Sequence, residues 1–294
     1  MQEALYRCRL YARLGRPVVF TGPFGAGKSW LARYVHELSP RRDRPFVDVP
    51  AGELANPLCL DRLFGHTLYA FTDAKRSRPG AFQRAAGGTL LLDDLALLTG
   101  EVQAALLRPL AEQLYTPTGS DRDVPVTCRL MFGTTVSPGR LVETGRLLRD
   151  LESRLGEFVI NVPGLAARPE EILPLAQLFV EITVRSEALG GTVPNVSPAA
   201  ARALRRHDWP GNVRELSNVM VHATVHAVGA RSDSIELDHL PERFRREEPP
   251  RRGRPRKLSP EVVMGVLEGA HGVQSEAARR LGVHRHSIRN LLQR

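Results

Sequence analysis

The sequence lacks any long apolar run. None of its 294 residues belongs to a stretch of the roughly 18 consecutive apolar residues that a membrane-spanning helix needs. The N-terminus, MQEALYRCRLYARLGRP, has no apolar core of a signal peptide. Cysteine is also scarce, since Cys8, Cys59 and Cys128 are too few and too scattered for a disulfide framework or a metal cluster. These absences predict a cytoplasmic protein with no membrane partner.

Positive charge is distributed unevenly. The formal net charge is +9, and residues 241–294 contain 13 Arg or Lys against 6 Glu, a net of +7 that leaves +2 for residues 1–240. A basic tail on a nearly neutral body is typical of a nucleic-acid-binding module. A solvated basic tail is the alternative that charge alone leaves open.

Short apolar segments alternate with helical patterns in the first part of the chain. The predicted strands are Pro17–Thr21, Phe46–Val49, Thr89–Asp93, Val126–Thr134 and Phe158–Val162. Helical patterns separate them, notably Ser29–Leu38 and Glu101–Leu114. This alternation predicts an α/β fold with a parallel sheet and helices on both faces.

The strand signals stop near Pro169. The helical segments beyond it are Glu170–Ala188, Pro198–His207 and the run after Pro210. Residues 247–258, EEPPRRGRPRKL, have the composition of a linker, and helical periodicity then returns. The predicted units are an α/β part (1–165), an all-helical part (166–246), a basic linker (247–258) and a C-terminal helical domain (259–294).

A glycine-rich segment predicts a nucleotide site. It matches G-x-x-x-x-G-K-[ST] in full, with the residues Gly22, Pro23, Phe24, Gly25, Ala26, Gly27, Lys28 and Ser29. It follows a predicted strand and opens a predicted helix, which is the context of a P-loop. Backbone N–H groups and the helix N-terminus there would cradle the phosphates of ATP. We expect Lys28 to reach the β- and γ-phosphates and the Ser29 hydroxyl to ligate Mg²⁺.

A second acidic element lies downstream of the P-loop. The apolar run Leu90–Leu92 ends in Asp93 and Asp94. Asp93 is suited to binding Mg²⁺ and Asp94 to polarising a water molecule. Two aspartates after a strand can also form a simple turn, but their combination with the P-loop favours the catalytic interpretation.

Four stretches together resemble the central domain of bacterial enhancer-binding proteins, the AAA+ activators of sigma-54 RNA polymerase. They are the P-loop, LFGHTLYAFTDAKRSRPGAFQRAAGGTLLLDD (63–94), DLESRL (150–155) and WPGNVRELSNV (209–219). Residues 275–292, SEAARRLGVHRHSIRNLL, look like the Fis-type helix-turn-helix of the same proteins. The resemblance covers nearly the whole chain and implies a helical lid at 166–246. Because it begins near residue 1, we expect no receiver or sensory domain ahead of it.

The resemblance also implies roles for single residues. Arg214 takes the sensor position on the lid, near the terminal phosphate, and Thr135 takes the polar sensor position after the fourth strand. Arg154 takes the position of an arginine finger that reaches the nucleotide of a neighbouring subunit, which implies a ring of about six subunits. Both arginine roles need a permanent, forked cation. A surface ion pair is the alternative for either arginine.

The sequence departs from the family pattern in the sigma-contacting loop. Where the family has GAFTGA, residues 69–74 read YAFTDA, which keeps Phe71 and Thr72 but replaces both glycines. Glycine permits backbone angles that are denied to Tyr and Asp, and Asp73 adds a carboxylate where the loop docks. We expect engagement of sigma-54 to be impaired.

The hydrolytic residues depart as well. Asp94 stands where the family has Glu, and Thr135 where it usually has Asn. Pro50 replaces an Asn that restrains the catalytic acid, and Leu148 replaces a first arginine finger, with Arg149 one place out of register. The phosphate cradle is intact. The sequence therefore predicts ATP binding with slow or absent hydrolysis.

The C-terminal domain predicts contacts to double-stranded DNA. Its last helix begins near His284, and the exposed face is formed by Arg285, His286, Arg289 and Asn290. In helix-turn-helix docking such side chains face base edges in the major groove. A Fis-type module normally forms dimers, which favours an inverted repeat as the target. An ordinary three-helix cap is the alternative.

Arg252 and Arg254 belong to an R-G-R-P segment in the linker. It matches the core of an AT-hook, which lays two arginines in a narrow A·T-rich minor groove. A flexible basic linker is the alternative.

The combined interpretation is a nucleoid-associated transcription regulator that binds specific DNA and uses ATP to control its assembly. Two alternatives stay open at this point. One is an active ATPase motor that remodels sigma-54 RNA polymerase, and the other is an ATP-dependent DNA-handling factor.

Overall fold

The computed structural model describes residues 1–54, 59–68, 70, 76–189 and 192–245. The predicted sigma-contacting residues Phe71 and Thr72 lie outside this part of the chain. The linker 247–258 and the C-terminal domain 259–294 also lie outside it, with the predicted DNA-binding residues Arg252, Arg254, Arg285, His286, Arg289 and Asn290.

Strands and helices alternate along the described residues. The strands are β1 Val18–Thr21, β2 Phe46–Pro50, β3 Gly65–His66, β4 Arg78–Pro79, β5 Thr89–Asp93, β6 Leu114–Tyr115, β7 Val124–Pro125, β8 Arg129–Thr134, β9 Val159–Asn161, β10 Asn195–Val196 and β11 Ser234–Ile235. The helices are α1 Gln2–Ala12, α2 Lys28–Glu37, α3 Cys59–Phe64, α4 Ala81–Arg84, α5 Gly100–Ala111, α6 Pro138–Glu143, α7 Arg149–Leu155, α8 Ile172–Ser186, α9 Pro198–Arg206, α10 Asn212–Gly229 and α11 Glu242–Arg245.

The central sheet has five parallel strands in the order β2-β5-β8-β1-β9. All five predicted strands are therefore present, and the α/β prediction is confirmed. β8 begins at Arg129, three residues after the predicted start at Val126. The reason is that the N–H of Val126 bonds to the carbonyl oxygen of Gln113 at 2.7 Å, beside the β6–β7 hairpin instead of in the sheet.

Helices cover both faces of the sheet, because successive strand residues point to opposite sides. One face carries α5 and α7, with the buried strand residues Val19, Leu90, Leu92, Leu130 and Phe132. The other face carries α1 and α2, with the buried strand residues Val18, Phe20, Leu91, Met131 and Ile160.

Helix α5 ends earlier than predicted. The sequence pattern extended it to Leu114, whereas the helix stops at Ala111. Gln113 adopts a φ of 57°, which turns the chain into β6. Local backbone reversal therefore overrides a helical pattern that continues in the sequence.

The unit that follows the sheet is formed mainly by α8, α9, α10 and α11 around one apolar core. Trp209 is buried at its centre and donates its indole N–H to the carbonyl oxygen of Leu204 at 2.9 Å. The prediction of an all-helical unit was wrong in one detail, because β10 and β11 form a short parallel pair. Strands of two residues are too short to show a sequence period. Among the described residues, no helix has the length and apolar character needed to cross a membrane.

Candidate nucleotide-binding site

The P-loop connects β1 to α2, as the motif predicts. Gly27 precedes α2 with a left-handed φ of 100°, and α2 begins at Lys28. Two glycines are also required by close approaches of the backbone. A Cβ at Gly22 would lie 2.2 Å from the carbonyl oxygen of Val162, and one at Gly25 would lie 2.3 Å from that of Gly211. The loop is therefore packed against both the end of β9 and the lid.

Lys28 points into the P-loop. Its side chain is buried, and its Nζ donates to the carbonyl oxygens of Gly22 at 3.0 Å and Pro23 at 3.2 Å. Burial lowers the pKa of Lys28, and the charge of Arg214 adds to this effect against the opposing charges of Asp93 and Asp94. An ammonium group removed from water in this way is suited to pairing with an anionic ligand.

Ser29 and Asp93 lie together at the carboxyl end of β5. The Ser29 hydroxyl donates to Asp93 Oδ2 at 2.9 Å. A Cβ on Gly133 of the neighbouring strand would lie 2.0 Å from Asp93 Oδ1, so a residue without a side chain is needed there. A hydroxyl and a carboxylate are oxygen ligands of the kind that Mg²⁺ prefers, and magnesium sites often use only one or two protein groups together with phosphates. The pair fits a magnesium ion, and sequence reasoning had missed the role of Gly133.

Asp94 follows β5 in an unusual conformation. Its backbone is left-handed, with φ 72° and ψ 71°, which is sparsely populated by residues other than glycine. One carboxylate oxygen, Oδ1, is buried without a hydrogen-bond partner among the described residues. Pro50 pairs with Asp93 in the register of β2 and β5 and brings no polar side chain. The orientation of Asp94 is therefore set by its backbone. Pro50, which stands where the family has Asn, has no side-chain amide that could bind the carboxylate.

Thr135 lies just after β8, where it is exposed. It lines a cavity of about 470 Å³ together with Gly22 of the P-loop and Asn161 of β9. The cavity is at the carboxyl ends of parallel strands, where ligands bind in open α/β sheets. The structure therefore brings Thr135 to the same edge of the sheet as the P-loop.

The lid binds three consecutive carbonyl groups of the P-loop. Asn212 Nδ2 donates to the carbonyl oxygen of Phe24 at 2.8 Å. The backbone N–H of Arg214 donates to Gly25 at 3.3 Å. A guanidinium nitrogen of Arg168 donates to Ala26 at 2.7 Å.

Two of these lid residues are buried. Asn212 has a φ of 53°, and its Oδ1 accepts a hydrogen bond from the N–H of Leu165 at 2.7 Å. Arg168 is 2% exposed, pairs with Glu171 at 2.9 Å, and has a buried Nε without a partner among the described residues. Sequence reasoning missed both. The motif W-P-G-N-V-R-E could have identified Asn212, whereas no local signal marks Arg168.

The lid loop before α10 is fixed by Glu215. Its carboxylate accepts hydrogen bonds from the N–H of Gly211 and from His207 Nε2, both at 2.9 Å. Burial opposes ionisation of Glu215, but these bonds and the nearby Arg243 outweigh it, and the pKa of Glu215 is lowered. A charged carboxylate thus holds the turn that carries Asn212.

Arg214, the predicted sensor arginine, lies beside the P-loop. Its guanidinium carbon is 4.4 Å from the centroid of the Phe24 ring. The side chain is exposed, and it donates no hydrogen bond and forms no ion pair within the described part of the chain.

Arg154 lies elsewhere. It is exposed on α7, which packs on the sheet face opposite α2. It has no ion pair with any described residue. The N–H of Leu148, the residue before α7, donates to Gln103 Oε1 at 2.9 Å. The described residues therefore do not place Arg154 with the P-loop of its own chain.

Comparison with known proteins agrees with this geometry. The sigma-54 interaction domain family matches residues 1–161, and the AAA+ ATPase lid domain family matches residues 166–256. The sigma54-dependent transcriptional regulator SfnR of Pseudomonas fluorescens is 38% identical over 223 residues, which are 76% of this chain and 59% of that protein. The transcriptional regulatory protein ZraR of Escherichia coli is 34% identical over 294 residues, 98% of this chain and 65% of that protein.

Solved structures are similar over the full chain. NtrX from Brucella abortus, in a crystal structure with ATP, is 29% identical with a TM-score of 0.73, and the match covers 100% of this chain and 67% of that one. The chain thus spans less than two thirds of the length of the curated regulators SfnR and ZraR.

The expectation of impaired sigma-54 engagement finds no support in these comparisons. The substitutions in residues 69–74 do not remove the chain from the family, and SfnR is named as sigma54-dependent. The parallel sheet, the P-loop with the lid seated on it, and the two family matches lead to one assignment. The chain belongs to the sigma-54 interaction domain family of AAA+ transcription regulators.

Proposed function

We propose that this protein is an ATP-binding transcription regulator in which the nucleotide at the P-loop controls assembly on DNA. The observation that carries the proposal is the convergence of Lys28, Ser29 and Asp93 at the carboxyl end of the sheet, beneath a lid bonded to the same loop. The crystal structures of the similar protein NtrX with ATP and with ADP support a nucleotide as the ligand.

The residues of the site divide the work of binding. Lys28 and the N-terminus of α2 bind the phosphates, and Arg214 approaches the terminal phosphate from the lid. Ser29 and Asp93 hold a magnesium ion, whose charge offsets that of the phosphates.

Turnover in this proposal is slow. Asp94 has a shorter side chain than the Glu of the family, and Pro50 provides no amide to orient it. Thr135 replaces the usual Asn at the sensor position. Arg154 completes the site of a neighbouring subunit, which its exposed position without an ion pair among the described residues supports. The protein therefore assembles as a ring of about six subunits when ATP is bound.

The C-terminal domain supplies sequence specificity. Arg285, His286, Arg289 and Asn290 contact bases in the major groove of an inverted repeat. Arg252 and Arg254 of the linker bind the neighbouring minor groove. The net charge of +7 on residues 241–294 supports this partner.

A second candidate is an active motor that remodels sigma-54 RNA polymerase. The match to the sigma-54 interaction domain supports it. No comparison favours the third class, a DNA-handling factor.

The deciding experiment measures ATP binding and phosphate release across a series of protein concentrations, with Lys28→Ala and Arg154→Ala as controls. Tight ATP binding with little turnover, lost in Lys28→Ala, supports the nucleotide-controlled regulator. Turnover that rises cooperatively with concentration and disappears in both variants supports the motor. Absence of ATP binding by the wild type would contradict both proposals.

A further inference from the structure

Phe24 is a large apolar residue in an unusual place. It lies in the middle of the P-loop, and 59% of its surface is exposed. The ring lies under the guanidinium group of Arg214, with 4.4 Å between the guanidinium carbon and the ring centroid. This is the geometry of a cation–π interaction.

The backbones of both residues are held in place. Asn212 Nδ2 donates to the carbonyl oxygen of Phe24 at 2.8 Å, and the N–H of Arg214 donates to Gly25 at 3.3 Å. The ideal Cβ position of Gly25 lies only 3.2 Å from Cβ of Arg214. The ring and the guanidinium therefore meet because the P-loop and the first turn of α10 are joined at this point.

A guanidinium group that lies over an aromatic ring can keep its N–H donors for other partners, because the contact with the ring does not require them. The side chain of Arg214 donates to none of the described residues. Its charge also acts on Lys28, whose pKa is lowered first by burial and further by Arg214. The guanidinium of Arg214 therefore lies beside the P-loop that carries Lys28.

We infer that Phe24 is a positioning residue that holds the guanidinium of Arg214 beside the P-loop before the nucleotide binds. The inference rests on the proposed function, because it assigns to Arg214 a contact with the terminal phosphate. An arginine already stacked loses less rotamer freedom on binding than a free one. This positioning should increase the affinity for ATP more than the affinity for ADP, because ADP lacks the phosphate that Arg214 approaches. Phe24 thus contributes to discrimination between the two nucleotides.

The test compares ATP and ADP affinities of the full chain by titration calorimetry, for the wild type, Phe24→Leu, Phe24→Tyr and Phe24→Trp. Leucine keeps the apolar bulk but removes the π-face. We expect Phe24→Leu to lower the affinity for ATP about two- to fivefold, which is the range for an exposed cation–π contact, and to leave the affinity for ADP unchanged. Tyr and Trp should preserve the ratio of the two affinities. Adding Phe24→Leu to Arg214→Ala should cause no further loss of ATP affinity.

Several results would overturn the inference. An equal loss of affinity for ATP and for ADP in Phe24→Leu would indicate a general effect on the loop. Loss in the Tyr and Trp variants, or an unchanged ratio in Phe24→Leu, would exclude the stacking role. In each of these cases Lys28→Ala still abolishes nucleotide binding, and the proposed function stands. If the wild type binds neither nucleotide, the proposed function fails and the inference fails with it.

Discussion

Asn212 binds the P-loop with one end of its side-chain amide and the backbone of Leu165 with the other. Its Nδ2 donates to the carbonyl oxygen of Phe24 at 2.8 Å, and its Oδ1 accepts from the N–H of Leu165 at 2.7 Å. The residue is buried and has a φ of 53°, a conformation that asparagine tolerates better than most residues. One amide therefore satisfies two backbone groups that are far apart in the sequence.

Replacing Asn212 by Ala should destabilise the protein by about 2–4 kcal/mol, since it leaves two backbone groups without partners and places Ala in the left-handed region. Urea denaturation followed by circular dichroism measures the effect. Asn212→Gly is the matched control, because glycine accepts the backbone angle, so that this variant loses the hydrogen bonds without the strain of a left-handed Ala, although the unfolded chain gains entropy. Values for both variants within about 0.5 kcal/mol of the wild type would show that the amide bonds do not stabilise this junction.

Glu215 should make stability depend on pH in the acid range. Although burial alone would raise its pKa, its bonds to Gly211 and His207 bring the folded-state pKa below the usual range of a glutamate. A carboxylate with a lowered pKa stabilises the fold above the unfolded value and loses this contribution as pH falls through the folded one. We expect Glu215→Gln to lose about 1–2 kcal/mol at pH 7 and to show a flatter decline below pH 4.5.

The control for Glu215 is Glu181→Gln. Glu181 is partly exposed, and its oxygen is 3.9 Å from Arg185, so its ion pair contributes little. The free energy of unfolding is measured from pH 3 to pH 8 in steps. Parallel curves for Glu215→Gln and the wild type would exclude the proposed role of the carboxylate.

Replacing Arg129 even by lysine should destabilise the protein. Its guanidinium is buried and donates to the carbonyl oxygens of Tyr11, Ala12 and Arg16 at 2.8–3.0 Å. Burial lowers its pKa to about 10. Because an ammonium cannot span three acceptors with the same fork, Arg129→Lys should cost about 2–4 kcal/mol of unfolding free energy.

Arg140→Lys provides the comparison for Arg129, since Arg140 is exposed and, among the residues that the structure describes, pairs only with Glu143. Thermal and urea unfolding of both variants should separate them clearly. If Arg129→Lys is as stable as Arg140→Lys, the three carbonyl contacts are not a source of stability.

The rate of phosphate release should depend on both the length and the charge of the side chain at position 94. Asp94→Glu moves the carboxylate one methylene outward, toward the water that attacks the terminal phosphate, and should raise phosphate release about tenfold or more. Asp94→Asn should keep ATP affinity and lose turnover. Phosphate release and ATP affinity are measured on the same preparations. A Glu variant no faster than the wild type would show that the length of the acid does not limit hydrolysis.

The sheet and the phosphate loop could be predicted because their signals are local. Short apolar runs followed by turn residues, such as Thr89–Asp93, indicate buried strands, and the glycine pattern of the P-loop needs no distant partner to be recognised. The proximity of Ser29 and Asp93 also follows from the fold class, since parallel strands end at one edge of the sheet.

The contacts between lid and loop could not be predicted in this way. Arg168 is separated from Ala26 by 142 positions, and nothing near it in the sequence marks a phosphate site. The stacking of Phe24 on Arg214 likewise depends on how α10 meets the P-loop. Such contacts depend on docking between elements, whereas sequence periods report only the face that an element buries.

Three hydrogen bonds connect the lid to the P-loop. The boundary at residue 165, where the α/β part ends and the helical part begins, therefore does not divide the protein into two parts that move independently. Residues 1–245 form a single compact unit. A rotation of the lid would either break its hydrogen bonds to the carbonyl groups of Phe24, Gly25 and Ala26 or displace these groups. By linkage, a ligand at the loop that favours one position of the lid would change the affinity of a partner on the lid, and that partner would change the affinity of the ligand by the same factor. The three hydrogen bonds therefore couple the position of the lid directly to the backbone that binds the phosphates.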